Sequence, residues 1–435
     1  MNMENQLLIK NIDIIPISEN TIIKNMDVLL KDGQILKITK TDNDTNHEGQ
    51  VIDGTDKFLM PGLWDNHAHI DDGKYLPLFL ANGITTIRDL GNSSDKIFEL
   101  RDKIKNREIV APDLYICGPI LEGNPPYWGE AFWTIKTEEE GRKAVKTLSN
   151  KKVDFIKAYS TLPNNIFQAI LDQATKDNLK VTGHVSKDLT SIEAIEAGQI
   201  GIEHLDSIFN TWSGSALAEV KWDETNIKNE DGSGYWYKAT DIKYNEANFK
   251  TLLELMKNNS IYFTPTLIQE EKTGKLGEYK ELLKDDRLKY LEKSVYENEW
   301  KPENESLWYE NYYFICKKEA SKLKDLADNS ILLAGSDTPN PFVIPGISLH
   351  EELELLSKAG ISNYEILKAA TINGAKFVDK EKSIGTVEEG KIASLLILGS
   401  NPLEDINNSK DISGVILHGN YISKKELDNK VKIYR

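Results

Sequence analysis

The pattern of hydrophobic positions divides the chain into three stretches. Over residues 6–57, short apolar or alternating runs (LLIKNIDIIPI, DVLLKDGQILKITK, QVIDGTDKFLM) are separated by the KDGQ and DGTD turn signals of hairpins. Residues 388–435 read the same way, with ASLLILGS and GVILHGNYI between polar loops. Residues 1–57 plus 388–435 are therefore expected to pair into one small β domain built from both ends. Between them, residues 58–387 alternate strand and helix. The candidate strands are MPGLWDNHAHI, ITTIRDL, LYICGPIL, DFIKAYS, KVTGHVS, IGIEHLD, IYFTPTL and ILLAGSD. Most are followed by segments such as TEEEGRKAVKTLSNKK, NNIFQAILDQATKDN and LHEELELLSKAG, whose apolar positions recur at three- and four-residue spacing. Eight such units predict an α/β fold, a (β/α)8 barrel with its site at the C-terminal strand ends.

Two stretches are longer than connections require. Residues 210–246 carry Trp212, Trp222, Tyr235, Trp236 and Tyr237, and residues 268–325 are acidic, helical and aromatic-rich. They read equally well as an enlarged helical layer or as a lid over the site.

Composition narrows the partners. Hydrophobic residues make up 40% and charged residues 28%, as in ordinary globular proteins, and the net charge is −16. An acidic chain without a basic stripe is a poor match for nucleic acid or anionic membranes. No apolar run approaches the ~20 residues of a membrane helix. Two distant cysteines, Cys117 and Cys316, do not make a disulfide framework, and the N-terminus lacks a secretion signal pattern. A reducing, cytoplasmic setting and a small-molecule substrate are expected, with assembly into a homo-oligomer left open.

The chemistry lies at the strand ends. His67 and His69 are two apart, so on a strand they share a face and can grip one cation. His184 and His204 each end a further strand, Asp337 ends another, and these histidines are four of only seven in the chain. Neutral imidazoles with a carboxylate suit a divalent metal. Lys157 cannot serve as a ligand while it is an ammonium. Once buried it can lose its proton, and the neutral amine can add carbon dioxide to give a carbamate with two oxygens. The alternative is a lysine salt-bridged inside the barrel.

The motifs PGLWDNHAH, GITTIRDLG, FIKAYS, VTGHV, GIEHL, AGSDTP and AATINGAKFVDKEKSIGTVEEGKIASLLIL occur in order over nearly the whole chain. In these the chain resembles the amidohydrolase superfamily, in its prolidase-like and Xaa-Arg-dipeptidase-like branch with two metals. The resemblance implies a TIM barrel beside a composite β-sandwich of the two chain ends. It also implies two divalent ions, most often zinc. His67, His69 and Asp337 would hold the first, His184 and His204 the second, with carboxylated Lys157 bridging both. The chain departs from its relatives after the third strand, where GPILEGNPPYWGEAFW replaces a Gly-Gly-His turn, so Tyr127 and Trp128 are expected to shape the substrate pocket instead. Ser394 stands where an Asp usually follows GKxA, a position in the sandwich.

The expected reaction is hydrolysis of an amide or peptide-like C–N bond in a dipeptide or N-acyl amino acid. Two metals about 3.5–4 Å apart share a hydroxide that attacks the carbonyl. Asp337 acts as general base and then acid. Tyr159, on the same face as Lys157, would donate to the carbonyl oxygen or bind substrate. Glu203 and Asp65 are candidates to orient imidazoles, and Arg88 to pair with an acid inside the barrel. Hydrolysis of a cyclic amide or lactone, a one-metal deaminase of a cyclic amidine or nucleobase, and a catalytically silent binding module remain alternatives. VTGHVSKD lacks a His-x-x-Glu pattern, which weighs against the deaminase.

Overall fold

All eight candidate barrel strands are present in the computed structural model, which describes residues 6–42, 49–129, 131–209, 217–223, 227–228, 235–236, 238–302 and 307–433. In order they are Leu63–Ala68, Ile84–Asp89, Asp113–Ile116, Phe155–Ala158, Lys180–Gly183, Gly201–Glu203, Tyr262–Thr264 and Ile331–Leu332. Parallel ladders join the first three, the fourth to the fifth, and the last three. Hydrogen bonds outside these ladders bridge the gaps, among them Asp154 N to Ile116 O (2.9 Å) and Ile200 N to Val181 O (3.1 Å). Closure comes from Asn66 N to Ala334 O (2.9 Å), Asp337 N to His67 O (2.7 Å) and His69 N to Thr338 O (2.7 Å). The first and second strands are buried at every residue, since helices cover one face and the barrel interior the other.

The covering helices form for local reasons. In Glu138–Asn150 the Thr137 side chain accepts from Glu140 N and caps the first turn. Gly141, Ala144, Val145 and Leu148 then make one buried stripe. It packs against Asn164–Lys176, which buries Ile166, Phe167, Ile170 and Ala174.

The chain ends form one eight-stranded sheet. Gln6–Ile14 pairs with Ile23–Lys31, Gln50–Asp53 and Phe58–Pro61, and Phe58–Pro61 also pairs with Leu395–Leu398. The sheet folds over: Gln34–Lys40 returns to the C-terminal half through Ile35 N to Lys391 O (2.8 Å) and Gly390 N to Ile35 O (2.7 Å). Ile9, Ile12, Val28, Ile35, Leu59, Leu395 and Ile416 fill the space inside, making a second core, that of the sandwich. The division at residue 57 needs correcting, because Phe58–Pro61 belongs to this sheet. FLMP is apolar throughout, so its pattern suits either neighbour and only the pairing partner decides. Ser394 lies at the joint, where its carbonyl accepts from Gly62 N (2.9 Å).

Of the first insertion, Ala218–Trp222 and Ala239–Tyr244 pair as antiparallel strands, and Ala239 N donates to Asn311 Oδ1 in the second insertion (2.9 Å). Trp212 and Tyr237 lie outside the described residues. The second insertion carries its own apolar cluster, in which Leu276, Leu288, Leu291, Val295 and Trp300 meet Leu78, Phe342 and Ile344. It therefore packs as a layer on the loop that follows Asp337. Cys117 and Cys316 are buried and free, and no helix among the described residues is long and apolar enough to cross a membrane.

Candidate metal centre

The site grows out of barrel closure. Asp65 Oδ1 accepts from Ser336 N (2.9 Å) and Oδ2 from Ser336 Oγ (2.6 Å), which stitches the first strand to the segment beyond the eighth. This overturns the expectation that Asp65 orients an imidazole: its carboxylate is spent on Ser336 and on the backbone N of His67. The stitch brings Asp337 beside the histidine pair. His69 Nε2 lies 3.2 Å and His67 Nε2 3.4 Å from Asp337 Oδ1. One ligand atom from each of the three lies within 4.8 Å of the others. His204 and Asp337 both have positive φ, 70° and 59°, and Thr266, which touches His204, has 50°. Left-handed backbone at three non-glycine residues is the kind of strain that collects at functional sites, at about 1–3 kcal/mol each.

Glu203 does orient an imidazole. Its Oε2 lies 2.9 Å from His67 Nδ1, while Oε1 accepts from Arg88 Nη2 (2.7 Å) and Thr182 Oγ1 (2.5 Å), all of it buried. Burial alone would raise the Glu203 pKa, but Arg88 and His67 hold its carboxyl well below the usual range. A carboxylate at Nδ1 assigns the His67 proton to that nitrogen, leaving the Nε2 lone pair facing Asp337. Burial, with Lys157 nearby, lowers the His67 pKa to about 4 and so keeps the ring neutral. Burial opposes the charge on Asp337, yet His67, His69 and His204 keep it ionised. His67 Nε2 and Asp337 Oδ1 are thus two facing acceptors, both buried and without a hydrogen-bond partner. That arrangement is costly unless a cation lies between them, so these residues fit a divalent metal.

The remaining histidines continue inward as neighbouring rings. His204 packs on His67 with ring centroids 4.6 Å apart, and His184 on His204 at 4.6 Å. His204 Nδ1 is held by Thr266 Oγ1 (2.8 Å) and His69 Nδ1 by Gly91 O (3.0 Å), so the Nε2 of each is left for a ligand. Burial lowers the pKa of both His184 and His204 well below the ordinary value.

Lys157 is 1% exposed. Arg88 takes Glu203, the acid a lysine would have sought, and among the described residues no carboxylate forms an ion pair with Lys157. The salt-bridged alternative is therefore absent. Burial lowers the Lys157 pKa against the pull of Glu203 and Asp337. Gly183, before His184, has φ 137°, and a Cβ there would fall 2.0 Å from Ala158 O, so only glycine lets the fourth and fifth strands approach this closely.

Tyr159 packs at a tilt on His184 (centroids 4.3 Å), and burial raises its pKa, so it stays a protonated donor. Tyr127 lies next to Tyr159 at 5.8 Å and Trp128 next to Tyr127 at 5.1 Å. Sequence reasoning missed Glu122 and Thr266. Glu122 ends an apolar run and Thr266 sits in a loop, and neither carries a local signal.

The amidohydrolase family profile matches residues 58–422. The chain is 20% identical to a 5-methylthioadenosine/S-adenosylhomocysteine deaminase of Caldanaerobacter subterraneus, over 99% of this chain and 95% of that one. It is 23% identical to an Aspergillus niger ochratoxinase over 80% of this chain and 71% of that protein. Among solved structures, a putative prolidase from Bifidobacterium longum superposes with TM-score 0.70 at 23% identity, covering 98% of each chain. A bottromycin amidohydrolase superposes with TM-score 0.74 at 18% identity, covering 99% of this chain and 89% of that one. At these identities the structural likenesses establish the fold alone.

Proposed function

The chain belongs to the amidohydrolase family and is an enzyme acting on C–N bonds; from that premise we propose that it hydrolyses an amide or peptide-like bond in a dipeptide or N-acyl amino acid. His67, His69 and Asp337 would hold one divalent cation and His184 and His204 a second, with zinc the first choice and carboxylated Lys157 shared between them. The observation that carries this reading is Lys157: a buried amine that forms no ion pair among the described residues, set beside the candidate ligand histidines and Asp337. A charged lysine there would repel any cation, whereas its carbamate would add a second negative ligand to Asp337.

Bound in this site, the cations would supply a polarised carbonyl and an activated water. The protein's own groups do the rest. Asp337, ionised and next to His67 and His69, accepts the attacking water's proton and returns it to the leaving nitrogen. Tyr159, kept protonated by burial, donates to the carbonyl oxygen as charge develops there. Glu203 and Arg88 keep His67 in one tautomer and one orientation. The described part of the second insertion, packed on the loop that follows Asp337, would wall the site on that side.

A second reading, hydrolytic deamination, draws support from the end-to-end match to the deaminase. One experiment separates the two: dipeptides, N-acyl amino acids, cyclic amides, lactones and nucleobases are screened while metal stoichiometry is measured on the same sample. Two metals per chain with release of an amino acid is expected. One metal with release of ammonia would replace this reading by the deaminase, and a chain that binds only trace metal and turns over nothing would overturn both.

A further inference from the structure

Tyr127 and Trp128 are large aromatic residues left in solvent, 68% and 49% exposed. They are the outer end of a continuous line of rings. Trp128 meets Tyr127 at 5.1 Å, Tyr127 meets Tyr159 at 5.8 Å, and Tyr159 meets His184 at 4.3 Å. The loop that presents them is tightly held. Its two ends pair as a short parallel ladder, Leu121–Glu122 with Trp133–Thr134, and Leu121 O accepts from Tyr159 N (3.0 Å). Gly123 N donates to Thr161 Oγ1 (2.9 Å). Under the loop, Glu122 is fully buried, and its Oε2 accepts from both Tyr127 N (2.8 Å) and Trp128 N (3.3 Å). Its other oxygen, Oε1, is buried without a partner. A buried carboxylate is costly, and here it fixes the backbone of the two residues whose side chains remain uncovered.

We propose that Tyr127 and Trp128 form a subsite for an aromatic group of the substrate, and that Glu122 is the positioning residue that holds them beside the metal centre. The proposal rests on the amide-hydrolase reading for the position of the scissile bond, and it narrows the substrate to amides carrying a planar ring. A ring seated against Tyr127 and Trp128 would gain offset or edge contacts together with burial of its apolar face. Because Glu122 already holds the two backbone amides, less ordering is left to binding.

Binding, measured by calorimetry on the metal-loaded full chain, tests this separately from turnover. The probes are two matched pairs, N-acetyl-L-phenylalanine against N-acetyl-L-alanine and N-benzoylglycine against N-acetylglycine. They place the ring on the amine and acyl sides in turn. In the wild type the aromatic member of one pair is expected to bind about tenfold tighter. Tyr127→Ala/Trp128→Ala should abolish that preference, so that the two members of the pair bind equally. Glu122→Gln, which keeps an accepting oxygen, should retain the preference that Glu122→Leu loses. If Glu122→Leu does not fold, the exposed double variant still decides the subsite. Equal affinities within both pairs, no measurable binding of any member, or a preference that survives the double variant would overturn it. Loss of the preference in Glu122→Gln would overturn the positioning role. A wild type that prefers the ring but cleaves no amide keeps the subsite and rejects the reaction, whereas one that cleaves both members equally and binds them equally does the reverse.

Discussion

Lys157 and Glu203 show how much depends on single residues here. Two cationic side chains, Arg88 and Lys157, and the carboxylate of Glu203 lie among the ligand histidines, and Arg88 wins the carboxylate at 2.7 Å. An Arg–carboxylate pair suits a buried place, because guanidinium is less strongly hydrated than ammonium. Lys157 is thereby left without an ion pair, and burial lowers its pKa. Lys157→Ala is expected to lower metal content from two ions to one per chain, with bicarbonate and a short-chain carboxylic acid partly restoring activity. Two ions and full activity in the variant would rule out a shared carbamate. Glu203→Gln should weaken metal binding about tenfold to a hundredfold in chelator competition, as removal of an imidazole's outer hydrogen-bond partner generally does. Unchanged affinity would mean that the Arg88–Glu203–His67 chain only packs. At this scale the chain shows residue types well and partners poorly. Asp65 and Glu203 both flank a ligand and look alike in sequence. One binds Ser336 and the other His67, because Asp65 belongs to the strand that closes the barrel.

At the scale of elements, strands and helices were legible because their signals are local. Apolar runs of four to eight residues mark barrel strands, and stripes at three- and four-residue spacing mark helices. The boundary near residue 57 was not legible, since Phe58–Pro61 would suit a barrel or a sandwich. Gly183 carries an element-level prediction. Gly183→Ala would drive a methyl into the Ala158 carbonyl and force apart the strands that carry Lys157 and His184. Loss of metal or failure to fold is expected, and normal metal content would show that the strands can give way.

The helix Ile347–Lys358 carries another. His350 is buried on it, with Nδ1 2.9 Å from Ser409 Oγ and Nε2 2.9 Å from Asn82 O. Burial lowers its pKa from 6.5 to about 4. Between those values the unfolded chain binds a proton that the folded chain refuses, so this residue's contribution to stability falls as pH falls through that window, by about 3 kcal/mol in full. In urea melts the stability gap between wild type and His350→Leu should therefore narrow on acidification across that range. A constant gap would show that His350 is protonated without penalty.

At the scale of the whole molecule, the metal centre joins parts of the barrel that are far apart in sequence. The candidate ligands come from the ends of the first, fourth, fifth, sixth and eighth strands, so a cation held among them acts as a tie across the barrel. Chelation should lower the thermal midpoint and zinc should restore it. Metal at a hundred times its Kd is worth about 2.7 kcal/mol. A midpoint indifferent to chelator would mean that the barrel closes without metal.

The amino-acid sequence alone determined the eight strands, the strand-and-turn pattern of both chain ends, and the placing of His67, His69, Lys157, His184, His204 and Asp337 at strand ends, because those follow from runs and spacings within a dozen residues. Tertiary structure decided which atoms meet. Asp65 finds Ser336 across 271 positions and His67 finds Glu203 across 136, through the closing and neighbouring of barrel strands. The tether from Glu122 to Tyr127 and Trp128 spans only a few residues, yet it exists because the loop's ends pair and bury that carboxylate. Periodicity says which face of an element is buried. Only barrel closure says what is buried against it.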